Sequence, residues 1–535
     1  MKVQLSPRQL KKKEIIASLS KQHVSNLADV DDRGTFPLGY PLTIQQLITF
    51  IEKIHGEIVY PWSANYNEAK AEQNPIYSAN PQMIVYVANY DDVKECLALA
   101  LEYGFETSIR TGGHSLACYS VSNGLVIDIS KLKSVHIDTQ SQTVWLQAGI
   151  TFEDLNPQLE SYNMHLPGGG CPTVAVAGYM QGGGFGFTSR TYGIQCDCVV
   201  QFTMMLADGS VVVANPNQNG DLFWAVRGGT GGNFGVLLDI TYKIFPLNKM
   251  YGVAIEWEFE TGADNAANAL FAIQENYLTG FQYPNLGIQT LLYTDFATGH
   301  DGYKKVRFCG SFIGEEVDLN KAIAPLLAIP GATKVYNAYD KYSVINNALI
   351  EGIPAFGPNT SDYLPPKYFG RSAYVDKSLS QADYSKLLGV FKTIPNKFGM
   401  IDFEGYGGVI NQYPIEQSAF IHRSSILDIY TIAFFSEGAS INDREANEVW
   451  INEFYQFLNQ YWNGHSYQNY PYRKQENFQW AYWGEYYNQL SAIKVKYDPN
   501  NFFNYQQSIG SPLSPESSTK QKNIFDNTPI IREKY

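Results

Sequence analysis

No stretch of about 18 apolar residues occurs in the chain, so no membrane-spanning helix is expected. Residues 1–30 carry charge and lack an apolar segment of signal-peptide length, which points to a soluble, cytoplasmic protein. Basic charge is scarce. The only basic run is Lys11-Lys12-Lys13, read as a solvated terminal face, and the net charge is −13. A field of that sign does not attract phosphates, so no nucleic-acid partner is expected. Cysteine is sparse as well. Six residues (Cys96, Cys118, Cys171, Cys196, Cys198 and Cys309) do not build a disulfide framework for a chain of 535. Cys196-x-Cys198 has the wrong spacing for a zinc knuckle and reads as alternate positions at the start of a strand. The eight histidines include no pair four residues apart beside a carboxylate, so no metal site is expected. No Walker motif occurs, no Gly-x-Ser-x-Gly elbow sits between a strand and a helix, and Gly182–Gly186 lies outside any strand–helix–acid unit of Rossmann length. Nucleotide hydrolysis, serine hydrolysis and nicotinamide redox chemistry are poor readings.

What is present is concentrated glycine beside two nucleophiles. One stretch reads Ile109-Arg110-Thr111-Gly112-Gly113-His114-Ser115. Another reads Gly168-Gly169-Gly170-Cys171-Pro172-Thr173-Val174, followed by Gly178 and Gly182-Gly183-Gly184-Phe185-Gly186. A third is Arg227-Gly228-Gly229-Thr230-Gly231-Gly232-Asn233-Phe234-Gly235. Glycine lets backbone N–H groups press against a ligand, and it is costly in regular structure. Three such stretches near a histidine and a cysteine point to a large, phosphate-bearing cofactor open to covalent attachment. The 38 tyrosines and 8 tryptophans suit wet binding clefts.

The length allows two or three domains. Residues 44–54 have helical apolar spacing. Met83–Ala88 reads as a strand. Asp92 with Glu95 reads as a capping box for a helix that Gly104 ends. Thr107–Arg110 is a strand delivering the chain into Gly112-Gly113-His114, an arrangement suited to cradling phosphate. Leu125–Ile129, Thr143–Ala148, Val199–Leu206 and Ser210–Ala214 read as further strands, the last two joined by an Asp208-Gly209 turn. Five segments follow: 1–74, an extension and the start of the cofactor domain; 75–250, the cofactor domain; 251–465, a substrate domain alternating strands such as Val253–Phe259 with helices such as Asp383–Lys392; 466–510, a C-terminal segment completing the cofactor domain; and 511–535, a polar tail.

Taken together, Arg110-Thr-Gly-Gly-His114-Ser, Cys171-Pro-Thr-Val174, Gly182-Gly-Gly-Phe-Gly186 and Arg227-Gly-Gly-Thr-Gly-Gly-Asn-Phe-Gly235 resemble the berberine bridge enzyme-like family of FAD-linked oxidases. So do Gly407-Gly408-Val-Ile-Asn411 with Ala419-Phe-Ile-His-Arg423, Tyr467-Gln-Asn-Tyr470, and Tyr497-Asp-Pro-Asn-Asn-Phe-Phe503 with Gln507-Ser508. The likeness runs from about residue 75 to 510. It implies an α+β fold of the vanillyl-alcohol oxidase and PCMH type: a two-subdomain FAD-binding domain, plus a substrate domain with an antiparallel sheet backed by helices. It also implies bicovalent FAD, held at the 8α position by His114 and at C6 by Cys171. Further cofactor contacts are implied for Arg110, Thr111, Gly112, Gly113, Ser115, Gly170, Thr173, Gly178, Tyr179, Gly183, Gly184, Gly235 and Asn504.

The activity implied is oxidation of an alcohol or hemiacetal carbon of a sugar, oligosaccharide or secondary metabolite. Hydride goes to FAD, and O₂ is reduced to H₂O₂. A dehydrogenase or a ring-closing tailoring enzyme is the alternative within the family, and a binding protein without turnover is the alternative outside enzymes. The base implied is Tyr470, with Tyr467 as the other candidate. A phenol titrating near 10 needs a positive neighbour to serve at pH 7, and Arg423 and His422 are the candidates by motif proximity. The thiol of Cys171 must ionise, which backbone donors of the glycine loop would favour. Val174 stands where the family places a gate for oxygen, and its small size goes with oxidase behaviour. Tyr179 and Phe185 occupy positions where members often carry His and Tyr. Trp257, Tyr406, Trp480 and Trp483 are candidates to stack on a substrate ring.

Overall fold

A computed structural model describes residues 42–259, 263–279, 282–295, 302–351, 367–396, 398–436 and 438–510. The expected extension before residue 42 and the tail after 510 lie outside them.

The first sheet contains β1 (Glu57–Val59), β2 (Met83–Tyr86), β3 (Thr107–Arg110) and β4 (Leu125–Asp128) in the order β1-β2-β4-β3. β2, β4 and β3 run parallel. Parallel strands need covered faces, and the helices Ile44–Lys53 and Tyr90–Tyr103 supply part of that cover through Leu47, Phe50, Ile51, Val93 and Leu97. The second helix starts three residues before the sequence pattern suggests. Asn89 is its cap, accepting from the Asp92 N–H at 2.9 Å. The Asp92 carboxylate is instead occupied by the N–H groups of His55, Gly56 and Ala88. Gly104 closes the helix in the left-handed region, φ 70°.

The second sheet contains β5 (Val135–Asp138), β6 (Thr143–Gln147), β8 (Val199–Met205), β9 (Val211–Ala214) and β10 (Val236–Lys243) in the order β5-β6-β10-β8-β9, with every pair antiparallel. β7 (Met164–His165) pairs with β11 (Phe245–Pro246). Cys196 and Cys198 lie in a short 3₁₀ turn ahead of β8, both buried, rather than in the strand itself.

The third sheet is larger: β12 (Met250–Glu258), β13 (Leu286–Thr294), β14 (Lys304–Phe312), β15 (Thr333–Asp340), β16 (Lys367–Val375), β17 (Met400–Gly405) and β18 (Leu427–Phe435), in the order β15-β12-β14-β13-β17-β18-β16, all antiparallel. One face meets the helices Ala263–Ile273, Glu316–Leu327, Gln381–Lys392 and Ile441–Leu458 in a core that includes Trp257, Phe308, Leu387 and Trp450. The opposite face carries Leu291, Tyr368, Tyr430 and Phe434 against Phe187, which comes from the segment between β7 and β8. The fold is therefore α+β, with two small cofactor-side sheets and one helix-backed antiparallel sheet. The C-terminal helices Phe478–Trp483 and Tyr487–Tyr497 return to the cofactor side, where Tyr482, Trp483 and Leu490 join the core of the first two sheets.

Candidate active site

A cavity of about 820 Å³ lies between the cofactor-side sheets and the inner face of the third sheet. Four loops and one sheet face build its wall. β3 ends in a turn where Gly113 adopts φ 68°, a conformation that favours glycine and aims the next residue, His114, into the cavity wall. Opposite stands the loop of Cys171. The helix Tyr342–Glu351 holds that loop from the substrate side: Asn346 Nδ2 donates to the Gly170 carbonyl at 2.7 Å, and Tyr342 Oη to that of Gly168 at 3.3 Å. A Cβ on Gly170 would lie 1.8 Å from Ile350 Cδ1, so a larger residue there would displace the Ile350 side chain.

The two nucleophiles are neighbours across the cavity wall. His114 Nε2 lies 2.9 Å from Thr173 Oγ1, two residues beyond Cys171. Burial lowers the imidazole pKa to about 4, so the ring is neutral at pH 7. Cys171 is the one exposed cysteine of the six, its side chain opening onto the cavity. Its thiol is raised, first by desolvation and then by the Asp402 carboxyl, which corrects the expectation that loop donors lower it.

Of the other sequence-derived residues, Thr111, Gly112, Ser115, Val174, Gly178, Tyr179, Gly235, Asn504 and Tyr470 line the same cavity. Arg110, Thr173, Gly183, Gly184 and Tyr467 do not. Arg110 is buried in an ion pair with Asp128 at 2.5 Å and also donates to the Ala69 carbonyl, so it ties β3 to β4. Thr173 acts through His114. Gly183 and Gly184 pack on Phe420 and Gln195, away from the cavity. Tyr467 is wholly buried, and its oxygen accepts from Gly184 N (2.9 Å), Phe185 N (3.4 Å) and Asn469 Nδ2 (2.9 Å). It braces the glycine loop and does not meet a ligand in this cavity. Tyr179 gives its hydroxyl to the Phe185 carbonyl at 2.5 Å, and Phe185 stacks on Tyr406.

The surroundings of Tyr470 differ from those its role as a lone base requires. Arg423 is paired with Asp197 at 2.6 Å, and His422 is bound to Gln468 and stacked on Tyr374. Neither serves Tyr470. Its hydroxyl donates to Glu404 Oε1 at 2.6 Å, and burial with the nearby Glu404 carboxyl pushes the phenol well above its ordinary value. Glu404 is 3% exposed and also lines the cavity. Asp402 does too, two residues earlier on β17, where alternation puts both on one face. Gln289 Nε2 donates to Asp402 Oδ2 at 2.5 Å. The sequence held a readable signal for this pair, an Asp-x-Glu strand running into Gly407-Gly408, but nothing in it says which face meets a cavity. The substrate-side wall is completed by Leu291, Tyr368, Tyr430, Ile432 and Phe434. Trp257, Tyr406, Trp480 and Trp483 are absent from it. Trp257 and Trp483 are core residues, Tyr406 bonds Tyr374, and Trp480 packs on His465.

The glycine loops fit a dinucleotide. Among the described residues, no protein acceptor meets the backbone N–H of Gly113, His114, Gly231 or Gly232, and all four residues line the cavity. Among the described residues lining it there is no lysine or arginine. A pyrophosphate bound there would be met by backbone donors, which suit an anion without a cationic side chain.

The fold and this cradle define an FAD-linked oxidoreductase, and the comparisons with known proteins agree. An FAD-binding-domain model matches residues 81–215, and a "berberine and berberine like" model matches residues 466–510. Both matches support the berberine bridge enzyme-like family of FAD-linked oxidoreductases. It is 27% identical over 462 residues to the uncharacterised FAD-linked oxidoreductase YgaK of Bacillus subtilis, covering 85% of this chain and 97% of that one. It is 28% identical over 464 residues to berberine bridge enzyme-like 24 of Arabidopsis thaliana, covering 80% and 83%. Solved structures share the fold. Physcomitrella patens BBE-like 1 superposes with a TM-score of 0.76 at 24% identity, over 88% of this chain and 100% of that chain. The xylooligosaccharide oxidase of Myceliophthora thermophila C1, in complex with xylobiose, gives a TM-score of 0.74 at 23% identity, over 86% and 98%.

Proposed function

We propose that the protein carries FAD attached through both His114 and Cys171 and oxidises the CH–OH carbon of an alcohol or hemiacetal, with O₂ as final acceptor. The observation that carries the reading is the His114–Thr173 contact, which brings the imidazole to the loop of Cys171 on one cavity. FAD, when bound, supplies the hydride acceptor and hands the electron pair to O₂, giving H₂O₂.

The protein's own part is attachment, orientation and proton movement. A neutral His114 is ready as a nucleophile at pH 7. Cys171 reacts as thiolate, so its raised pKa makes sulfur attachment faster as pH rises. The base is the Tyr470–Glu404 pair. A substrate hydroxyl beside Tyr470 gives its proton to the phenol oxygen while the phenol proton passes to Glu404 Oε1, along a hydrogen bond of 2.6 Å. Burial and the neighbouring Asp402 and Asp428 carboxyls hold Glu404 well above the usual carboxylate range, which makes its ionised form a stronger base. The Tyr368, Tyr430 and Phe434 rings and the Gln289 amide offer flat apolar faces with a polar edge, suited to a sugar or polycyclic alcohol. The oligosaccharide oxidase among the structural neighbours supports a sugar hydroxyl.

Acid precipitation of the purified yellow protein tests the reading. Flavin should stay with the pellet of the native protein and of the single variants His114→Ala and Cys171→Ala, and leave with the supernatant of the double variant. Turnover of an alcohol should consume one O₂ per carbonyl formed. Complete release of flavin from the native protein overturns the attachment, and carbonyl formation without O₂ uptake overturns the oxidase assignment.

A further inference from the structure

β17 and β18 place three carboxyls together in the interior: Asp402 and Glu404 on one strand, Asp428 on the other. Glu404 and Asp428 are direct partners in the strand register. Partners in an antiparallel pair point to the same face with Cβ atoms about 4.5–5.5 Å apart. Asp428 has no exposed surface and does not line the cavity. Ser372 donates its hydroxyl to Asp428 Oδ1 at 2.6 Å. The other oxygen, Oδ2, has no partner, and neither has Glu404 Oε2. The titratable groups that face Asp428 are Glu404 and Asp402 from β17, Tyr374 from β16, Tyr430 from its own strand, Tyr406 beyond β17 and Tyr455 from the helix Ile441–Leu458. No cation is among them.

Two buried carboxyls opposite each other do not both ionise, because neither water nor a counter-charge offsets the repulsion. A buried carboxylate oxygen left without a donor is also costly. One proton between the two orphan oxygens removes both penalties. We propose that Asp428 is a positioning residue that shares a single proton with Glu404 and thereby sets the acidity of the proton acceptor beneath Tyr470. This rests on the reading of Glu404 as the terminal base.

The proton count closes. The working pair holds one proton, between Asp428 Oδ2 and Glu404 Oε2, and leaves Glu404 Oε1 open to the Tyr470 hydroxyl. Substrate oxidation sends hydride to the cofactor and the hydroxyl proton through Tyr470 to Glu404, so the pair then holds two. The second proton returns through Tyr470 as O₂ takes up the electron pair, and O₂ plus hydride plus that proton is H₂O₂. The pair is back at one proton with no external acid consumed.

The pH profile of anaerobic flavin reduction by substrate, measured on holoprotein, tests this. In the wild type the rate rises with pH along a limb that belongs to the pair rather than to one residue. Asp428→Asn keeps the shape but sets an amide, a weaker donor than the shared acid proton, against Glu404 Oε2. The limb should move to higher pH by about one unit or more, the coupling expected of directly interacting sites. Asp428→Ser, which can donate but cannot store the proton, should move the limb the same way and serves if the Asn variant does not fold. A limb that stays in place in a folded, flavin-loaded variant overturns the proposal, whatever happens to the overall rate, since a role in packing alone does not move a pKa. Glu404→Gln separates the two levels. If it reduces flavin at the wild-type rate, the base assignment itself is wrong. If it is slow while Asp428→Asn keeps the wild-type profile, only the shared proton is wrong.

Discussion

Tyr467 and Tyr470 stand three residues apart in one motif and are assigned opposite roles by their surroundings, so replacing each by phenylalanine is a sharp test. Tyr470→Phe deletes the hydroxyl that lies 2.6 Å from Glu404 Oε1 and so cuts the path by which the substrate proton reaches the carboxyl. Positioned acid–base catalysis contributes about 10²–10⁴-fold, which corresponds to about 2.7–5.4 kcal/mol of barrier. The rate of anaerobic flavin reduction should fall by that factor. The fold should lose little, since Tyr470 is only half-buried. Tyr467→Phe removes the oxygen that accepts from Gly184, Phe185 and Asn469 in a fully buried setting. Leaving buried donors unsatisfied costs about 1–3 kcal/mol each, so this variant should melt several degrees lower. Its flavin reduction should stay within a few-fold of wild type, because the tyrosine does not line the cavity. Rapid mixing under anaerobic conditions measures the first quantity and thermal unfolding the second. The reasoning is refuted if folded Tyr467→Phe is the one slowed a hundredfold or more, or if Tyr470→Phe reduces flavin normally.

Arg110→Met should leave Asp128 buried without its counter-ion and cost about 3–5 kcal/mol of stability, with the flavin still attached wherever the protein folds; calorimetry and the acid-precipitation assay check the two halves. Thermal stability should fall as pH rises. Burial raises Asp402 to about 8 and Asp428 to about 7 in the folded state, while the unfolded residues titrate near the ordinary value of about 4. The folded protein thus holds more protons, and the stability they confer is complete below about pH 4 and is lost as pH climbs to about 8. Asp402→Asn should flatten part of that slope in melts taken from pH 5 to 8. The same substitution removes the negative charge that raises the Cys171 thiol, so flavin attachment through sulfur should proceed faster at pH 9, where Asp402 is ionised, in a His114→Ala background. Val174→Leu, a larger side chain on the cavity wall, should slow reoxidation by O₂ by about tenfold, or about 1.4 kcal/mol, while leaving flavin reduction alone; stopped-flow traces of the two half-reactions decide.

Local signals in the chain were read well where they depend on neighbours in sequence. β3 was legible to the residue, because Thr107–Arg110 follows the glycine that ends a helix and runs into a glycine turn. The Asp208-Gly209 turn was legible from its dipeptide, and Gly209 adopts φ 79° there. The start of the helix Tyr90–Tyr103 was misplaced because Asp92 and Asn89 are both good caps. The choice went to Asn89 once residues 55, 56 and 88 claimed the aspartate. The family resemblance implies a cofactor contact for Arg110, yet alternation along β3 turns it to the other side, onto Asp128.

The sequence by itself determined the glycine turns that bring backbone donors to a ligand and the class of cofactor, since these follow from residue type at fixed short spacing. Which groups move the proton was decided only by the tertiary structure. Glu404 and Asp428 are 24 positions apart and meet because β17 and β18 are paired in one register, and Tyr470 reaches them from a segment 66 positions beyond Glu404. Acidity is a property of the space around a carboxyl. That space is built by strand pairing and burial, which no short stretch of chain encodes.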